Sequence, residues 1–116
     1  MTSPAPLPAA RATVVVSFRE RWGWTQAVVE RLLAHTPPEV PVWVLDTGLP
    51  PALRQTLQAL ADATPRLALL PLPSGLWPQQ ARGAIAAQIG TPYAVFIDND
   101  VLVRPGWLAP LLDCAE

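Results

Sequence analysis

The chain has 116 residues, 51% of them hydrophobic and only 15% charged, with a formal net charge of -1. That length holds one domain and excludes two, and low charge with high apolar content argues against global disorder. A near-neutral balance also argues against nucleic-acid or anionic-membrane binding, since neither partner would find a basic patch.

Residues 1–11 carry Pro4, Pro6 and Pro8 and read as a flexible proline-rich leader, with residues 12–116 as the folded domain. The leader has no basic start and no long apolar block, so it does not read as a signal peptide, and the expected compartment is the cytoplasm. No apolar run approaches the ~18 residues of a membrane span.

Thr13–Ser17 (TVVVS) is a β-branched run, apolar on both faces, and predicts a strand. From Thr25 to His35 the residues Val28, Val29, Leu32 and Leu33 recur at helical spacing, and Pro37, Pro38 and Pro41 end the helix. His35, the single histidine, suits the helix C-terminus as a dipole partner. Val42–Leu45 (VWVL) predicts a second strand, stopped by Asp46-Thr47-Gly48. Pro50 and Pro51 fit the first turn of a helix whose stripe is Leu53, Leu57 and Leu60. Arg66–Leu70 predicts a third strand, and Gln79–Ile89 a helix with Ala81, Ile85 and Ile89 inward, broken by Gly90-Thr91-Pro92. Tyr93–Ile97 (YAVFI) predicts the fourth strand, ending at Asp98-Asn99-Asp100. A short extended piece over 101–103 and a turn at Pro105-Gly106 lead to a last helix from Trp107. In that helix Cys114, the single cysteine, is expected to be buried or half-buried, and it excludes an intramolecular disulfide. Among the five tryptophans, Trp43 is expected in the core and Trp22, Trp24 and Trp77 at a rim or interface.

The order β-α-β-α-β-α-β-α with throughout-apolar strands predicts an α/β fold: a mainly parallel sheet between helix layers, three layers in all. Ligands of such sheets bind outside the carboxyl ends of the strands. Asp46, Asp98 and Asp100, a third of the nine acidic residues, all fall at those ends. Asp98 and Asp100 are two apart, and strand alternation would point both the same way. Paired hard carboxylates suit Mg²⁺ or Mn²⁺ completed by phosphates and water; the competing reading is a polar strand end that caps a turn. Arg82, near the start of the third helix, could fork onto the same phosphates or lie as an exposed surface arginine. Asp46 could accept from a base or ribose, or form the turn before Gly48; Phe18 could stack on a base, or pack in the core.

Taken together, VVVSFRER, VWVLDTG, PSGLWPQQARGAIAAQIG and YAVFIDNDVLVRPGWL resemble the family 2 glycosyltransferases, from about residue 12 to the end. The resemblance implies a GT-A nucleotide-diphospho-sugar transferase fold, with transfer of a sugar from a nucleoside diphosphate to an acceptor hydroxyl. It implies that Phe18 lies next to the donor's base, Asp46 binds base or ribose, and Arg82 lies near the diphosphate. Asp98 would face the ribose, Asp100 the metal, and the pair would form the Asp-x-Asp motif for Mg²⁺ or Mn²⁺. Arg19 stands where the family usually has Asn, Gly83 where Asn usually follows the arginine, and Thr47 where Asp or Asn is commoner. In the family the acceptor site and the base come from beyond the Asp-x-Asp strand, and here sixteen residues follow Asp100. Asp113 and Glu116 read as a solvated helix face, so no catalytic base is assigned. The expectation is a donor-binding half, truncated after the Asp-x-Asp strand, that leaves apolar surface for self-association or for a partner carrying the acceptor half. The rival expectation is a catalytically incomplete module that serves assembly or regulation.

Overall fold

The apolar runs TVVVS and VWVL become the two central strands of a sheet. The computed structural model describes residues 11–17, 23–74 and 76–115. Strands β1 (Ala12–Ser17), β2 (Val42–Asp46), β3 (Leu67–Pro71) and β4 (Tyr93–Asp98) form one sheet in the order β3-β2-β1-β4, with every pairing parallel. β1 and β2 are buried along their whole length, which is why neither shows an apolar/polar alternation. β3 and β4 stand at the edges, and their burial is patchier.

Helices α1 (Thr25–His35), α2 (Pro51–Ala63), α3 (Pro78–Ala86) and α4 (Leu108–Ala115) cover both faces. Val28, Val29 and Leu32 of α1, Leu57 of α2, and Leu108 and Leu112 of α4 pack with Ala12, Val14, Val16, Val42 and Val44 on one face. Ala81 and Ile85 of α3 pack with Val15, Trp43, Leu45 and Leu70 on the other. The division follows from connectivity. The chain moves from β1 to β2 to β3 in one direction, then reverses across the sheet to β4. Crossovers of one hand must place the returning helix on the opposite face. The expected three layers are therefore present.

The ends of the elements carry information about the site. α3 stops at Ala86 rather than at Ile89. Its last turn tightens, with Gln88 N–H donating to Ile85 O (2.9 Å) and Ile89 N–H to Ala86 O (3.3 Å), ahead of Gly90 and Pro92. β3 runs on to Pro71, opposite Asp46, which an edge strand tolerates because its outer side needs no donor. β4 includes Asp98, and the chain then turns at once: Val101 N–H donates to Asp98 O at 3.2 Å. Asp100 thus lies in a turn, and the strand alternation expected to align it with Asp98 does not reach it. Gly106, with φ of 74°, makes the second turn before α4, which starts at Leu108 instead of Trp107.

Trp43 is buried as expected, and Trp24 (56% exposed) and Trp77 (67% exposed) stand at the starts of α1 and α3. Trp22 and Glu116 lie outside the described residues. Cys114 is exposed, against expectation: α4 buries Leu108 and Leu112, and Cys114 falls off that stripe. Asp113 is exposed, as a solvated face requires. His35 closes α1, as expected. Val101 and Leu111 are exposed apolar residues near the chain's end. Among the described residues no helix is long and apolar enough to cross a membrane.

Candidate functional site

The reversal of strand order lies between β1 and β4. In an open parallel sheet this switch point is where the carboxyl ends leave a crevice, because the flanking connections depart to opposite faces. The residues at that edge are Ser17 and Asp98, which are register partners.

Strand alternation decides which way each residue points. In β1, Val14 and Val16 belong to the α1/α2 face and Val15 to the α3 face, so Ser17 turns toward α3. In β4, Ile97 belongs to the α1/α2 face and Phe96 to the α3 face, so Asp98 also turns toward α3. Arg82 comes down from α3 to meet them. Its Nη2 donates to Asp98 Oδ1 at 3.1 Å, its Nε donates to Ser17 Oγ at 3.4 Å, and its Cζ stands 5.2 Å from the centre of the Phe96 ring. The ion pair is a third exposed on both sides, at 34% for Arg82 and 39% for Asp98, so solvent screens it and a ligand can reach it. These two bonds leave the rest of the Arg82 N–H donors unengaged among the described residues.

Asp98, Asn99 and Asp100 divide their roles by burial. Asn99 is 2% exposed and donates from Nδ2 to Thr25 Oγ1 (3.3 Å) at the start of α1. That tie anchors the turn between the two aspartates. Asp98 spends one oxygen on Arg82, and Asp100 is exposed with no ion-pair partner among the described residues. Two carboxylates of this kind, with no third His, Cys, Asp or Glu gathered beside them among the described residues, are too few to enclose a cation. They suit one that keeps waters and takes phosphate oxygens as its remaining ligands.

Asp46 sits at the same rim, but on the other face. Trp43 and Leu45 belong to the α3 side, so alternation turns Asp46 toward α2. β2 and β4 flank β1, which separates Asp46 from Asp98 by ~10 Å across the sheet. The Asp46 carboxylate is 8% exposed, and Arg54 of α2 clasps it with Nε on Oδ2 (2.6 Å) and Nη2 on Oδ1 (3.3 Å). Oδ1 also accepts from the N–H groups of Gly48 (3.1 Å) and Leu49 (2.9 Å), an Asx turn at which Gly48 adopts φ of 120°. Burial pushes its pKa up, while the Arg54 bond and the Leu49 and Gly48 N–H groups pull it down, leaving it below the ordinary 3.8. The expected turn role of Asp46 is therefore present, while of the expected aspartates only Asp98 meets Arg82.

Removing this carboxylate has a calculable sign. Asp46→Ala leaves two backbone donors and Arg54 without their acceptor, a loss of about 2 kcal/mol. The folded pKa lies below the unfolded one, so the stabilisation is complete above the unfolded value and is lost as pH falls through the folded one. Urea midpoints of wild type and Asp46→Ala should differ fully at about pH 6 and converge as pH falls below 3.8.

Phe18 lies outside the described residues, with Arg19. Sequence reasoning passed over Ser17, Phe96, Asn99 and Arg54. The first two were within reach, because Phe96 and Asp98 are two apart on one strand face and Ser17 ends the neighbouring strand. Nothing local marks Arg54 or Asn99, whose partners are brought in by tertiary packing. A family model described as glycosyl transferase family 2 matches residues 13–116, all but the first twelve. No curated protein matches the chain.

Proposed function

The chain belongs to glycosyl transferase family 2, and on that premise we propose that its rim between β1 and β4 binds a nucleoside-diphosphate sugar with Mg²⁺ or Mn²⁺, for glycosyl transfer to an acceptor. The observation that carries this reading is the meeting of Arg82 with Asp98 at the switch point, beside the exposed Asp100. A cationic fork and two carboxylates at one crevice match the two needs of a diphosphate ligand: direct contact with its oxygens and neutralisation through a cation.

The residues take distinct tasks. Arg82 turns its unengaged N–H donors to the diphosphate. Asp98 and Asp100 hold the cation, which when bound offsets the charge left on the departing nucleoside diphosphate. Asp46, buried on the other face and clasped by Arg54, takes a structural task instead and fixes the end of β2 at the rim. Phe18, next along the chain from Ser17, is the proposed neighbour of the base.

Calorimetric titration with nucleoside diphosphates, with and without Mn²⁺, tests the reading. The expected result is binding that requires the cation and weakens about tenfold or more in Arg82→Gln, the scale of a lost charge-assisted bond. Absence of binding in both conditions, or binding indifferent to Arg82→Gln, would overturn it.

A further inference from the structure

We infer that Phe96 is a positioning residue, whose ring holds the Arg82 guanidinium over the rim with its N–H edge turned to an anionic ligand. The inference rests on the donor-binding reading above and adds to it the group that orients the phosphate-binding cation.

The argument starts from the face and the edge of a guanidinium. Its N–H groups lie in the plane and its face carries none, so an aromatic ring beneath the face steadies the group without using a donor. Phe96 is placed for this. It precedes Asp98 by two residues on the same strand face, and Arg82 Cζ stands 5.2 Å from its ring centre. Helical side chains lean toward the helix N-terminus, which for α3 is the rim, so Arg82 passes over Phe96 on its way to Asp98.

The other two contacts cannot do this work once ligand arrives. The Nη2 bond to Asp98 Oδ1 competes directly with any cation or phosphate that engages the same carboxylate. The Nε bond to Ser17 Oγ is long, at 3.4 Å, and restrains one atom of the group. The ring contact alone is indifferent to what Asp98 binds. Phe96 therefore keeps Arg82 in place while its partner changes from carboxylate to phosphate.

The test is a cycle on affinity for a nucleoside diphosphate with Mn²⁺, read by calorimetry. Phe96→Leu, with Phe96→Met as a second ring-free variant, should weaken binding about three- to tenfold, and Phe96→Tyr should restore it. In an Arg82→Gln background the ring-free change should have no further effect, which a merely structural role of Phe96 would not produce. In the ligand-free protein, the Arg82 Nε–H signal in NMR spectra should carry a ring-current shift that disappears in Phe96→Leu. Wild-type binding that is unaltered in both ring-free variants, equal losses with and without Arg82, or a shift that survives Phe96→Leu would overturn this inference alone. Failure of the wild type to bind overturns it together with the donor-binding reading.

Discussion

Asp100→Ala is expected to abolish the Mn²⁺-dependent part of nucleoside diphosphate binding while leaving the fold intact. The side chain is exposed in the turn after β4 and has no ion-pair partner among the described residues, so its removal breaks no ion pair among them. Unfolding free energies of the variant and the wild type should agree within about 0.5 kcal/mol, the usual range for such surface sites. Binding should respond far more strongly. Loss of groups that only support metal ligands costs 10–100-fold in affinity, so loss of a direct ligand should cost about 100-fold or more. Asp98→Ala should bind as weakly, but with a further signature. It frees Arg82 from its carboxylate partner among the described residues, so the residual affinity for diphosphate without cation should rise relative to Asp100→Ala. Calorimetry on the two variants, with and without Mn²⁺, checks both statements. Equal Mn²⁺-dependent affinity in wild type and Asp100→Ala would remove the turn from the site.

The largest expected loss of stability is at Arg66, far from the rim. Its Nη1 donates to the carbonyls of Thr36 (3.1 Å), Pro37 (2.8 Å) and Val40 (3.4 Å), and its Nη2 donates to Leu33 O. These are the carbonyls at and just beyond the end of α1, left without intrahelical partners and carrying the negative end of the helix dipole. One guanidinium therefore closes α1, holds the loop into β2 and fixes the start of β3, since Arg66 O in turn accepts from Val42 N–H at 2.9 Å. Burial lowers its pKa from the usual value, and the charge of Glu39 partly restores it. Arg66→Ala should cost about 3 kcal/mol, the scale of charged hydrogen bonds lost around a partly buried group. Arg66→Lys should recover less than half, because a single ammonium cannot span carbonyls spread along the loop. Urea unfolding of the two variants measures both losses. A loss under about 0.5 kcal/mol for Arg66→Ala would show the clasp to be ornamental.

These residues also mark how far the sequence alone could be read. The strands and helices were legible because each depends on a local pattern: the β-branched run of β1, the helical spacing of Val28, Val29 and Leu32, the proline stops before β2. The rim was legible too, since in a parallel sheet every carboxyl end falls on one side. Arg66 and Arg54 were not legible, because a lone arginine in a local pattern says nothing about carbonyls or carboxylates brought near by the fold. Asp46 shows a subtler gap. That it shares the rim with Asp98 follows from topology, but which face it turns to depends on the alternation within a completely buried strand, where both faces are apolar and no periodicity is visible. Asp100 shows the reverse error, an alternation extended one step past the strand's end.

The proposed cation site lies at the Asp98–Asp100 turn, at the switch point of the sheet. Paramagnetic broadening by Mn²⁺ in the presence of a nucleoside diphosphate reads that placement directly from the backbone amide spectrum. With the cation held there, the amides of Ser17, Asp98, Asn99, Asp100 and Val101 should broaden first, while those of Ala12, Thr13 and Tyr93, at the opposite ends of the same strands, stay sharp. Uniform broadening, or broadening centred elsewhere on the molecule, would contradict that placement.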